Sequence, residues 1–381
     1  MAQHYLPWLR VLAALTLLPC AGCLPNVVWL PDSSGFIYTV NAWPGMNQAE
    51  GVAPRNQILH YDLTRKTSQV VAADSPSTIC PALSPDGKHV AFARVTLEKG
   101  QPPTLQVIVN DFQGKEVQRS PVFPWGAVSQ SEIMEEKYPQ LFWAPRGNQV
   151  LVFANKHSGI YDLDRKAVQM LGAARPLTHG TTPIRPDGKG FLLNKEGRTI
   201  VFVDWAGKER PITLPRETES MLGRHGDVLD MPAAICWTRW EGDVAIATWK
   251  KGQLRIDTAR LTATLREPAS DEWSVEGREI QELYTFPDGK TKVAVLYLKS
   301  YRDFRDAGLP TVTVELLGPD LGQRRTLIPE TAHCGLFPAP NKAQVALRYF
   351  LTHERDKEKI RSMILVVNQQ GETVTEIETT P

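Results

Sequence analysis

The chain has 381 residues with 43 basic and 42 acidic side chains, so it offers no electrostatic basis for binding nucleic acid or an anionic membrane surface. Its 29 prolines and 27 glycines are spread along the whole length with no low-complexity tail and no Gly/Ser linker. That distribution excludes a string of tethered modules and fits many short strands joined by turns.

The first element is an export segment, residues 1–22. A single basic residue, Arg10, precedes the apolar stretch Val11 to Pro19, which is too short to span a bilayer and has the form of a secretory h-region. It ends in Cys20-Ala21-Gly22-Cys23, which resembles the lipobox of bacterial lipoproteins, with Cys20 where leucine is usual. The resemblance implies cleavage before Cys23 and acylation of its thiol. An ordinary signal peptide or an uncleaved anchor is the other reading. Two or three acyl chains give stable anchoring where one is marginal. Leu24 stands where an inner-membrane retention signal has Asp, which in a cell with two membranes favours the outer one; the expected place is periplasmic or on the cell surface. From Cys23 onward, 42 basic residues (the 43 less Arg10) face 42 acidic ones.

A repeat then runs through residues 23–381. "VVWLPDSSGFIYTV" (Val27 to Val40), "ALSPDGKHVAFARV" (Ala82 to Val95) and "LFWAPRGNQVLVFA" (Leu141 to Ala154) are its first copies. "PIRPDGKGFLLN" (Pro183 to Asn194), "YTFPDGKTKVAVLYL" (Tyr284 to Leu298) and "LFPAPNKAQVALRYF" (Leu336 to Phe350) follow. A degenerate copy, "CWTRWEGDVAIATW" (Cys236 to Trp249), fills the one large gap, with Arg239 as its proline equivalent. The marks at 31, 85, 145, 186, 239, 287 and 340 average 51.5 residues apart, a period that fits propeller blades. A second repeat lies out of phase with the first. "HYDLTRKTSQVV" (from His60) and "IYDLDRKAVQML" (from Ile160) match in register and read as two strands about a polar hairpin, with looser copies after the other marks. The expectation is all-β: a seven-bladed β-propeller of four-stranded antiparallel blades, with six or eight blades as alternatives.

Pro-Asp-Gly reads as a turn. Proline sets φ, Asp caps the local backbone and Gly accepts positive φ. A calcium loop needs several oxygen ligands at alternating positions, and the copies supply one Asp, replaced by Arg146, Trp240 or Asn341 in three blades. These residues resemble the WD40-like (PD40) repeat of the TolB family, the best copies being Ser84 to Lys88, Pro186 to Lys189 and Pro287 to Lys290. The resemblance covers the chain from Cys23 and implies a propeller. TolB has a further N-terminal domain and six blades, so its transport role does not carry over.

Propellers with this repeat also occur beside α/β-hydrolase domains. No Gly-x-Ser-x-Gly elbow, His-Glu-x-x-His motif, phosphate loop or Gly-x-Gly-x-x-Gly occurs here, and Cys20-x-x-Cys23 lies across the cleavage site. No metal or cofactor is expected. Cys80, Cys236 and Cys334 read as small buried residues of inner strands, with Cys334 on a different face from the other two.

With strands A to D in each blade and the Pro-Asp-Gly turn joining A to B, the A–B and C–D turns share one face of the disc. The B–C and D–A connections share the other, and so does Cys23. The long connections Asn41 to Asn56, Ser120 to Pro139, Lys299 to Pro310 and Thr352 to Arg361 lie there, with candidate binding aromatics Trp43, Trp125, Tyr301 and Phe304. Seven residues before the turn proline stand Thr78, Tyr138, His179 and His333, expected to ring the channel mouth as hydrogen-bonding groups. His179 and His333, three blades apart, are too far from one another to share a metal. The sequence thus points to a monomeric, lipid-anchored, non-catalytic propeller that binds a protein or an envelope polymer. A hydrolase or lyase with its site at the channel mouth is the alternative.

Overall fold

The computed structural model describes residues 27–40, 56–75, 81–96, 104–124, 139–154, 157–175, 182–195, 199–215, 235–249, 252–266, 274–298, 311–318, 323–331, 334–352 and 360–379. All regular structure in them is β, in seven antiparallel sheets that each follow chain order from strand A to strand D. Blade one is Val28–Trp29, Gly35–Val40, Asn56–Asp62 and Thr67–Ser75, and blade seven is Cys334–Pro338, Gln344–Thr352, Ile360–Asn368 and Thr373–Glu378. Two blades carry an extra two-residue strand. Phe123–Pro124 pairs with strand C of blade two, and Ser274–Val275 pairs with strand A of blade six. The A strands of blades two and three, five and six, six and seven, and seven and one touch each other, which places the A strands around the axis and leaves the D strands on the rim.

The burial of the strands explains their composition. Strands B and C lie between two other blades and are covered on both faces, so Val345, Ala346, Leu347, Arg348, Tyr349 and Phe350 are all buried in succession. Such strands read as continuous apolar runs. The D strands of blades three (Ala167–Gly172) and five (Thr262–Arg266) bury few residues and carry the polar alternation. Six of the seven seams hold an apolar cluster drawn from the facing blades. The seventh, between blades five and six, adjoins side chains outside the described residues.

Pro-Asp-Gly is a turn. In blade two, Ser84 N donates to His89 O, Gly87 N donates to Ser84 O, and the Asp86 carboxylate accepts from Lys88 N at 3.0 Å. Asp32, Asp187 and Asp288 accept from the backbone N–H two residues on, and Asn341 does the same in blade seven. The next residue is left-handed in all six proline turns, as glycine in four and as Ser33 and Lys342 in the others. The C–D hairpins use the same device one turn later: Asp62 accepts from Thr64 N and Arg65 N, and Asp257 from Ala259 N and Arg260 N.

Blade five departs from the expected mark. Arg239 lies inside strand A (Ile235–Glu241), opposite Ile246, and is not a turn residue. The chain reverses at Gly242-Asp243, between the paired residues Glu241 and Val244. A two-residue hairpin with Gly242 at positive φ replaces the six-residue proline turn. Cys334 is buried on strand A of blade seven, as expected of it. Cys236 lies on strand A of blade five and Cys80 falls outside the described residues.

Polar contacts tie the blades together. Between blades four and five, Arg185 reaches Asp187 at 2.5 Å and Asp243 at 2.9 Å, and its guanidinium holds the Asp187 carboxyl down at about 2. The seam between blades seven and one closes the ring with side chains from sequence-distant ends. Trp29 Nε1 donates to Phe337 O at 2.7 Å, Tyr61 and Thr375 share a 2.7 Å hydroxyl contact, and the buried Arg348 donates to Thr39 O at 2.7 Å. Trp29→Phe loses the hydrogen bond and part of the buried ring, and is expected to lower stability by about 2–3 kcal/mol in urea unfolding followed by fluorescence.

Candidate functional site

The nine residues that sequence reasoning singles out, Cys23, Trp43, Thr78, Trp125, Tyr138, His179, Tyr301, Phe304 and His333, lie outside the described residues. The ladders that flank them are described. Pro81, Pro139 and Cys334 open the A-strand segments after Thr78, Tyr138 and His333. In blade four the inner strand is split. Arg175 pairs with Asn194 and Ile184 with Phe191, so Arg175 and Ile184 stand nine positions apart while their partners stand three apart. Asn194 and Lys195 are thus paired with Arg175 and Ala174.

Among the described residues, the inner strands of blades six and seven carry a titratable cluster. Strand A of blade six (Arg278–Thr285) breaks register between Ile280, opposite Leu296, and Glu282, opposite Val295. Gln281 is the extra residue. A bulge of this kind re-aims the side chains beside it. Glu282 then crosses the seam, and its Oε2 accepts from Leu336 N of blade seven at 2.9 Å. Part of the residue keeps solvent exposure, but its carboxyl group is packed deep among protein atoms. Burial disfavours the charged form and pushes the acid up to about 8, against the smaller opposing effect of the Leu336 N–H.

Two further groups complete the cluster. Cys334 is fully buried two residues before Leu336. Its thiol is raised well above the ordinary range, first by burial and then by Glu282. Tyr349, the cross-strand partner of Cys334, donates its hydroxyl to Glu376 at 2.8 Å; burial first, and then that carboxylate, raise it. Neither group is a nucleophile at neutral pH. Glu282 is the member whose proton is lost nearest neutrality, and its carboxyl is held against Leu336 N across the seam.

Sequence reasoning missed Glu282, though a signal existed. Five residues before the turn proline stand Asn26, Cys80, Gln140, Thr181, Glu282 and Gly335, small or polar at a place beside apolar strand positions. Gln140 is described and buried, which shows that this position sits within the protein rather than in a solvated connection. Among the described residues no three His, Cys, Asp or Glu side chains group as a metal site.

No protein-family model matches the chain, and no curated protein sequence matches it. Solved structures do. A dihydro-heme d1 dehydrogenase, in complex with DHE, is similar at 14% identity and a TM-score of 0.48; the match covers 93% of this chain but only 66% of that one. The periplasmic gluconolactonase of Pseudomonas aeruginosa matches at 13% identity over 81% of this chain and 85% of its own, with a TM-score of 0.46. A 6-phosphogluconolactonase-like protein of Bacteroides uniformis, itself assigned only by inference, matches at 12% identity over 91% and 99%, with a TM-score of 0.43. At this level of likeness no activity passes to this chain.

The raised acid makes a pH prediction. Between the ordinary value of 4.5 and about 8, the folded state holds the Glu282 proton and the unfolded state does not. Stability attributable to this group is therefore full below 4.5 and falls as pH rises through that window. Thermal melts of the Glu282→Gln protein from pH 5 to 8 should show a flatter pH dependence than the wild type. An unchanged slope would mean that the carboxyl ionises freely.

Proposed function

We propose that this protein is an exported propeller, anchored by lipid at Cys23 to the outer face of a bacterial membrane, that binds a protein or envelope polymer without transforming it. The observation that supports it most is the unequal length of the connections on the two faces. On the turn face the A–B and C–D reversals are short, and their backbone hydrogen bonds are internal. The B–C and D–A face carries residues 41–55, 125–138, 216–234 and 299–310 between described strands. Long connections held by a rigid scaffold are where binding groups concentrate. The candidates Trp43, Trp125, Tyr301, Phe304, Thr78, Tyr138, His179 and His333 belong to this face, as does Cys23. The WD40-like repeat of the TolB family agrees with an extracytoplasmic setting.

Two measurements test the reading. Cys23→Ser should move the protein from membrane to soluble fractions and remove an acyl mass; retention with no acyl mass sinks the anchor. Proximity labelling from the lipidated protein should enrich a partner that is lost when residues 41–55 or 299–310 are replaced by a short turn, with the melting temperature kept. A second reading is a hydrolase or lyase at the channel mouth, for which Glu282, on the inner strand of blade six, is the candidate acid. It requires turnover of an ester or glycoside panel that Glu282→Gln abolishes while the fold persists.

A further inference from the structure

The outer strands of blades three and five begin from the same hairpin. Asp162 and Asp257 each accept from the backbone N–H three residues on, at Arg165 and Arg260. Lys166 and Leu261 follow in the left-handed conformation, and Tyr161 faces Val168 in one ladder as Ile256 faces Ala263 in the other. In blade five the outer edge of this strand is occupied. The chain leaving blade four runs along it in parallel: Thr213 N donates to Leu261 O and Ala263 N donates to Thr213 O, both at 2.9 Å. Ile212 and Leu214, on either side of Thr213, join the apolar cluster of that seam with Leu261 and Leu265.

The chain leaving blade two does not do this for blade three. Ser120 N donates to Val107 O as Ile212 N donates to Ile200 O, so Ser120, Pro121 and Val122 stand where blade four has Ile212, Thr213 and Leu214. Pro121 has no N–H to give to Lys166 O. Two residues later Phe123 pairs with Leu105 of its own blade. Among the described residues no neighbouring blade reaches Lys166 O or Val168 N, the counterparts of the groups that hold Thr213. Val122 is left 52% exposed and Met170, the counterpart of Leu265, 38%. A Cβ added at Gly159 would meet Phe123 at 3.1 Å and Met170 Sδ at 3.5 Å, so the two blades' uncovered ends lie together.

We infer that the outer edge of blade three, Ala167–Gly172, receives an extended segment of a partner protein by parallel strand addition. In this mode main-chain bonds supply affinity and alternate side chains supply selectivity. The chemistry of the segment follows from Ile212-Thr213-Leu214: a residue that keeps its N–H, between two apolar ones. Those two side chains continue the seam of blades two and three, against which Val168 already packs. The edge itself is permissive. The outer strands of blades two (Glu116–Arg119), four (Glu209–Pro211) and seven (Thr373–Glu378) carry charge or proline, which discourage pairing, and Ala167–Gly172 carries neither. This edge lies on the rim, apart from the connections assigned above to partner binding.

The test reads the methionine methyl signals of the full chain by NMR, with Met170→Leu identifying the relevant one. The probe is the peptide Glu-Arg-Pro-Ile-Thr-Leu-Pro, the sequence of residues 209–215, capped at both ends. At millimolar concentration it should move the Met170 signal. The same peptide with an N-methylated threonine keeps its side chains and loses the N–H, and should bind at least about tenfold more weakly. Met170→Glu puts a charge on an exposed position, so it should weaken binding of a fluorescein-labelled copy by a similar factor with the melting temperature kept. The inference fails if the peptide leaves the Met170 signal in place, or if the N-methylated peptide moves it equally, which would mean apolar adhesion without a ladder. It also fails if the signal shifts with protein concentration alone, which would give the edge to a second copy of the chain, or if Met170→Glu binds as tightly as the wild type.

Discussion

The ring depends on the packing of one sheet's face against the next, because sheet hydrogen bonds stop at the blade boundary. Among the described residues, the backbone bridge between Thr213 and Thr262 is the one place where a ladder-type pairing passes from blade to blade. Otherwise, among the described residues, neighbours are held by apolar contact between sheet faces and by side-chain bonds such as Trp29 to Phe337 O, Arg348 to Thr39 O and Glu282 to Leu336 N. That is why the middle strands are apolar on both faces and why a charge such as Arg348 is tolerated there with a backbone carbonyl to meet it.

The blade count was legible because the turn between A and B is chemically demanding. It needs a fixed φ, a local acceptor and a left-handed residue, and that demand recurs as Pro-Asp-Gly or its variants. Where the demand disappears, legibility goes with it. Blade five reverses in two residues at Gly242-Asp243, so no proline is required and Arg239 is an ordinary strand position. Blade four interrupts its inner strand between Arg175 and Ile184, an insertion that spacing from Pro186 could not disclose.

Site chemistry was less legible for a different reason. Glu282 owes its raised proton affinity to a bulge at Gln281 and to the depth at which blade seven covers it, neither of which a linear pattern encodes. Thr213 and Pro121 are the clearer lesson. They hold one place in their repeats, yet only the first has an N–H to give, so one outer edge is filled from within the chain and the other is not. The cues lie between repeats, not within them. The aromatic and histidine candidates lie in connections outside the described residues.

The seam between blades seven and one has a consequence for how the chain reaches this state. Within blades, strands A to D each pair with the neighbour in sequence, so the ladders form from local contacts and at modest loop-closure entropy. Closure is different in kind: Trp29 meets Phe337 across 308 residues and Tyr61 meets Thr375 across 314. The blades can thus assemble in sequence as a growing open arc, and only the final contact must bring remote parts of the chain together. An open arc leaves the apolar faces of its end blades uncovered. This seam therefore carries the largest loop-closure cost of the ring, and it is the point at which an incomplete ring would expose apolar surface to a second chain.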